Sequence, residues 1–179
     1  LENYQVLLNE FKVELALLKE DHREKVIEVF KSVHEDFYYK PASSTGKYHN
    51  REDNLRHGLV YHTHRVFHYM VSTIRAAENP LFKEYRSELL TAALLHDIAK
   101  YDGKSPHTKR NHDSLGADIA LQYGLGETIA TIIRFHSGKW STDYSRFDGI
   151  SNELKALCWA LHICDMHASC SYNTMIIED

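Results

Sequence analysis

Apolar side chains return every three or four positions through most of this chain, and no run of β-branched residues alternates with polar ones. Val6, Leu7, Phe11, Leu15 and Leu18 predict a first amphipathic helix over residues 3–19. Val26, Ile27, Phe30, Val33, His34 and Phe37 predict a second, which Pro41 and the small polar residues through Gly46 interrupt. After a polar stretch to Asn54, His57-Gly58 leads into a helix that runs to about Asn79-Pro80, and Glu84 to Lys100 forms the next. Lys104 to Asn111, with Pro106, reads as a loop. Helices over His112–Tyr123, Glu127–Phe135 and Asn152–Ala168 follow, with a polar, aromatic, aperiodic segment from Ser137 to Gly149. The expected fold class is all-α, a bundle of six to eight helices in a single domain spanning residues 1–179.

Composition narrows the function. With 43% hydrophobic residues in 179, the chain can bury one core but not two. A balance of 21 basic against 25 acidic side chains, net −4, declares no polybasic surface, so a long nucleic-acid duplex is not an expected partner. No apolar stretch approaches the roughly 18 residues of a membrane span, and there is no signal-peptide layout. The three cysteines, Cys158, Cys164 and Cys170, form no C-x-x-C pair and suit reduced thiols in a cytoplasmic protein. Histidine is the outlier, with 13 residues.

The apolar run Leu89–Leu95 ends in His96 and Asp97. An imidazole and a carboxylate side by side there need polar partners once they lose water, and both are common ligands of first-row divalent metals. His62 lies in His-Thr-His-Arg-Val and Asp165 in Leu-His-Ile-Cys-Asp, so four ligand-type residues on three helices can meet only inside a bundle. His112, opening His-Asp-Ser-Leu-Gly-Ala, and His136, closing Ile-Ile-Arg-Phe-His, are two further candidates. Lys100 stands one turn beyond the pair, where it could bind a phosphate oxygen or leaving group. Arg65, three residues after His62, could clamp a phosphate through its planar fork, and Lys104, Lys109 and Arg110 flank the nearby loop. A basic rim on an acidic protein suggests a small anionic substrate.

Each of these has a plainer alternative. Lys100 can be a cation at a helix C-terminus, Arg65 one half of an ion pair, and Asp102 and Asp113 solvated or capping carboxylates. The aromatic segment from Trp140 to Phe147 could stack a base but reads better as the edge of a core. His64 and His68 form an i, i+4 pair that could chelate alone. No carboxylate accompanies them at a ligand spacing, however, so they and His57 are expected to pack or to form hydrogen bonds.

The ordered set of His62 in His-Thr-x-Arg-Val, His96-Asp97 in Leu-Leu-His-Asp-Ile-Ala-Lys, His112 in His-x-x-x-Gly-Ala, His136 and Asp165 resembles the HD-domain metal-dependent phosphohydrolase superfamily. The resemblance covers a core of residues 56–169, with residues 1–40 outside it as N-terminal helices free to cap the bundle or build a homodimer. It implies two divalent ions (Mn, Fe, Co, Ni or Mg), the first on His62, His96 and Asp165, the second on His112 and His136, with Asp97 bridging. It also implies hydrolysis of a phosphoester by a metal-bridged hydroxide; beside that, position and charge make Lys100 a catalytic candidate with Asp97, and Arg65, Lys100 and Lys104 the expected substrate contacts. The segment Gly58–Thr63 resembles the HD domains of bacterial 3′-to-5′ exoribonucleases and nucleotide phosphodiesterases. Without a strand-rich nucleic-acid module, the expected substrate is a nucleotide, dinucleotide or short oligonucleotide. Two alternatives share the ligands: a di-iron oxygenase of the same superfamily and a non-catalytic nucleotide-binding module.

Overall fold

The computed structural model describes residues 3–46 and 49–170, and within them every regular element is helical. Lys47 and Tyr48 of the polar stretch lie outside the described residues. The N-terminal part comprises α1 (Asn3–Glu10), α2 (Lys12–Ala16), α3 (Glu20–Ser32) and α4 (Asp36–Tyr39). The rest comprises α5 (Gly58–Ala76), α6 (Pro80–Glu84), α7 (Arg86–Leu95), α8 (His112–Gln122), α9 (Glu127–Arg134) and α10 (Asn152–Ser169). Single 3₁₀ turns occupy Glu52–Asn54 and Gly138–Trp140, and a longer one Tyr144–Gly149. No helix among the described residues is long and apolar enough to cross a membrane.

Among the described residues, ten α-helical segments exceed the six to eight expected because two predicted helices divide and α6 forms by itself, while a third predicted helix is shortened. The first divides at Phe11, whose backbone (φ −94°, ψ 20°) leaves the α region while its ring stays in the core. The second stops at Ser32, since Val33 turns extended, and α4 restarts four residues later. The shortening matters most. Helix α7 ends at Leu95, not Lys100, and residues 96–100 continue in tight turns held by Ile98 N–H to Leu95 O and Lys100 N–H to Asp97 O, each 3.0 Å.

Helix α7 carries the architecture. All of Leu89–Leu95 is buried, as a helix apolar on every side must be, and each buried leucine contributes about 1.5–3 kcal/mol relative to exposure. Around it pack α3, α5, α9 and α10; α8 lies on α9, and α5 also contacts α10. The N-terminal helices spend their apolar face on this core, with Leu7, Phe11, Leu15, Leu18, Val26, Val29 and Phe30 buried in it.

Helix α5 starts with a close approach. His57 adopts the left-handed region (φ 66°), and at Gly58 a Cβ would stand 1.9 Å from the Asp53 carbonyl oxygen. Glycine therefore lets the 3₁₀ turn at Glu52–Asn54 lie directly against the helix start.

Candidate metal centre

The six candidate ligands come from five places. His62 lies in the second turn of α5, His96 and Asp97 just past α7, His112 at the first position of α8, His136 two residues beyond α9 and Asp165 in α10. The structure brings all of them together. Asp165 Oδ1 stands 2.9 Å from His62 Nε2 and 3.9 Å from His96 Nε2, and the two imidazole nitrogens are 3.4 Å apart. Asp97 divides its carboxylate: Oδ1 faces His112 Nε2 at 3.1 Å and His136 Nε2 at 3.6 Å, while Oδ2 faces His96 Nε2 at 3.4 Å and His62 Nε2 at 3.8 Å. Two ligand triads result, His62–His96–Asp165 and Asp97–His112–His136, each with its ligand atoms within 4.8 Å of one another.

Hydrogen bonding fixes which nitrogen each ring presents. Nδ1 of His96 donates to Ala93 O at 2.8 Å, Nδ1 of His112 to Lys109 O at 2.9 Å and Nδ1 of His136 to Ile133 O at 2.7 Å. Every acceptor is the carbonyl three residues earlier, available because each histidine follows or opens a helix. A neutral ring that donates through Nδ1 carries its lone pair on Nε2. Three Nε2 lone pairs thus converge on the carboxylates of Asp97 and Asp165, acceptor against acceptor, in a site where His62, His96, His136 and Asp97 are buried. Asp97 Oδ1 is itself buried without a well-aligned donor. Such a donor set fits divalent cations.

The electrostatics agree. Burial raises the Asp97 carboxyl, but the Lys100 ammonium, His96 and the facing His112 and His136 rings hold it well below the usual range. Asp165 is likewise held down against burial, chiefly by His62. Burial lowers His96 and keeps it neutral, whereas for His136 the bond and charge of Asp97 outweigh burial and raise it.

The centre opens into a cleft of about 400 Å³ lined by His49, Asp97, Lys100, His112, His136, Ser137, Trp140, His162, Asp165, Met166 and Ser169. Lys100 Nζ lies 2.6 Å from Asp97 Oδ2. Arg65, expected to clamp a phosphate, instead bonds Asp53 through Nη2 and is absent from the lining, because the 3₁₀ turn packed on α5 brings Asp53 within its reach. Lys104, also expected at the substrate, sits exposed on its loop, its N–H on Asp102 Oδ1 at 3.0 Å. Lys109 pairs with Asp102 at 2.9 Å, so the basic rim contracts to Lys100. Asp113 is buried and fastens the following loop, accepting from Thr142 N–H at 3.2 Å. Trp140 is 62% exposed at the cleft mouth rather than folded over a core edge.

Two supporting residues were not legible in the sequence. Asp53 is fully buried, with Oδ2 3.7 Å from His62 Nδ1 and 3.4 Å from His49 Nδ1, and Arg65 holds its other oxygen. At 3.7 Å it makes no hydrogen bond to the ring, but it is the carboxylate that faces Nδ1 of His62. His49 forms one wall of the cleft, and burial beside His62 pushes its pKa down to about 3. Both precede α5 in the polar stretch, where nothing in spacing distinguishes them from solvated residues.

An all-helical protein whose buried histidines and aspartates form two adjoining triads belongs to the class built to hold divalent metal inside a helix bundle. Residues 59–163 match the family described as HD domain, and the chain belongs to that family, within the metal-dependent phosphohydrolase superfamily. No curated protein and no solved structure matches the chain at a significant level. Asp165 lies two residues past the matched span, so its place in the centre rests on α10: it follows Leu161 by four residues, and Leu161 is buried in the core.

Proposed function

We propose that the protein hydrolyses a phosphoester of a nucleotide, dinucleotide or short oligonucleotide, with one divalent ion on His62, His96 and Asp165 and a second on His112 and His136, Asp97 serving both. The observation that carries this reading is the division of Asp97, one oxygen toward each triad. Bound divalent ions supply Lewis acidity toward phosphoryl oxygens and lower the pKa of coordinated water. The remaining work falls to the chain. The Nδ1–H bonds to backbone carbonyls keep three Nε2 atoms aimed inward without reorganisation. Lys100, held at the cleft edge by Asp97, offers its ammonium to a non-bridging phosphate oxygen or to the leaving oxygen. Trp140 and Met166 give the cleft an apolar flank suited to a planar base, and its modest volume suits a small substrate better than a duplex. A cytoplasmic setting agrees with the cysteines, none of which is disulfide-bonded.

Metal analysis of the purified chain, joined to a panel of phosphomono- and diesters assayed with Mn²⁺, Fe²⁺, Co²⁺, Ni²⁺ or Mg²⁺, tests this. Two ions per chain and turnover of at least one nucleotide ester are expected. Asp97→Ala should retain at most one ion and lose at least about 10³-fold in turnover, since a bound Lewis acid contributes several kcal/mol. A fully loaded protein that leaves the whole panel untouched would overturn the reading.

A further inference from the structure

A second histidine cluster lies on the opposite side of α5 from the centre. His64 and His68 are separated by one helical turn and so share a face, rotated roughly 200–240° from His62 at 100° per residue. The carboxylate absent from their neighbourhood in sequence arrives from α2: Glu14 Oε1 stands 2.8 Å from His64 Nδ1 and 2.9 Å from His68 Nε2. Glu14 is buried, with its side chain 3% exposed, and its second oxygen, Oε2, has no hydrogen-bond partner. A half-satisfied buried carboxylate is costly unless something else completes it. The Phe11 ring lies 4.5 Å from the His64 ring, centroid to centroid, and sets its orientation from below. His64 is partly open and His68 about half open, leaving a solvent-facing side for a water or further ligand.

We propose that Glu14, His64 and His68 form a separate binding site for a zinc-class divalent ion, which ties the N-terminal helix α2 to the HD core. The donor set, two imidazole nitrogens and one carboxylate with an open fourth position, is one that zinc takes. Ligands at the usual 2.0–2.1 Å in a tetrahedral arrangement lie about 3.3 Å apart, so each imidazole need retreat from Glu14 by only about half an ångström. A cation there would also give Oε2 the charge it lacks. The site stands independently of the catalytic reading, sharing no ligand with it.

Zinc titration of the full chain by calorimetry, with metal content measured after gel filtration, tests the proposal. Wild type should bind one zinc more per chain than His68→Ala, and ions held at the Asp97 centre cancel in that difference. Glu14→Gln should lose the same equivalent, and His68→Cys, which restores a ligand, should regain it. The affinity lost in His68→Ala is expected to be at least about 100-fold. Folding of that variant is checked by unchanged Mn²⁺-dependent hydrolysis or, if no substrate is found, by an unchanged far-ultraviolet circular dichroism spectrum. Equal zinc stoichiometry in wild type and His68→Ala would overturn the proposal, as would full retention of the extra ion in Glu14→Gln.

Discussion

Asp53 sits behind His62, the candidate ligand whose ring has no backbone carbonyl to orient it. The other three ligand histidines take their orientation from a carbonyl three residues back, but His62 lies within α5, where those carbonyls are spent on the helix. Its Nδ1 therefore has no carbonyl partner and faces the Asp53 carboxylate, whose other oxygen pairs with Arg65. Asp53→Asn should weaken metal binding by about 10–100-fold, as loss of an orienting partner commonly does. Competition with a metal-sensitive dye measures this, and an Asp53→Asn protein of unchanged affinity would show that His62 needs no orienting charge. Asp53 would have been hard to find in the sequence: it is one acidic residue among several in a polar stretch, and only burial distinguishes it.

The start of α5 and the packing of α10 govern the site at the level of whole elements. Gly58→Ala drives a methyl into the Asp53 carbonyl, which is backbone and cannot rotate away. A loss of about 1–3 kcal/mol is expected from denaturant unfolding. Metal affinity should fall with it, because the displaced turn carries Asp53. Helix α10 presents Asp165 to the centre while burying Cys158 and Cys164, the first against Thr131 O at 3.6 Å and the second against Thr73 Oγ1 at 3.5 Å. Burial pushes the Cys158 thiol up from 9.0 to about 12 and raises Cys164 as well. Alkylation of the native protein near pH 8 should therefore label Cys170 alone, with all three thiols reacting after denaturation. The sign of the linkage follows: a folded-state pKa above the unfolded value means stability present below pH 9 and lost as pH rises toward 12, measurable as a falling Tm. Labelling of Cys158 at native rates would contradict this.

The N-terminal helices join the rest through a shared core, so a single cooperative unit is expected of the described residues. Phe11 is fully buried, its ring 5.6 Å from Phe30 and 6.4 Å from Phe37, and it sits on the His64 face of α5. Phe11→Ala should cost about 3–5 kcal/mol and shift a single unfolding transition as a whole. A second transition, with the Tm of the HD core unchanged, would mean that residues 3–39 fold as a separate unit. The apolar residues of these helices pack on the core, the capping role that the sequence allowed them.

Helical periodicity and the burial of Leu89–Leu95 were legible in the amino-acid sequence, because an apolar pattern at 3.6-residue spacing admits few folds; the six candidate ligands stood out only as an ordered set resembling the HD superfamily, since no single histidine marks itself. Helix ends were less legible: Phe11 and Val33 leave the α region and α7 gives way to tight turns after Leu95, none of them at a proline or glycine that would mark the end in the sequence. Three assignments depended on the tertiary structure alone. Arg65 turned to Asp53 instead of the cleft, His62 acquired a carboxylate from the preceding turn, and His64 and His68 received Glu14 from 50 residues upstream. Each depends on which distant segment is brought against one face of α5. Spacing along a chain records the faces of a helix, whereas the partners of those faces are chosen by the packing of the whole core.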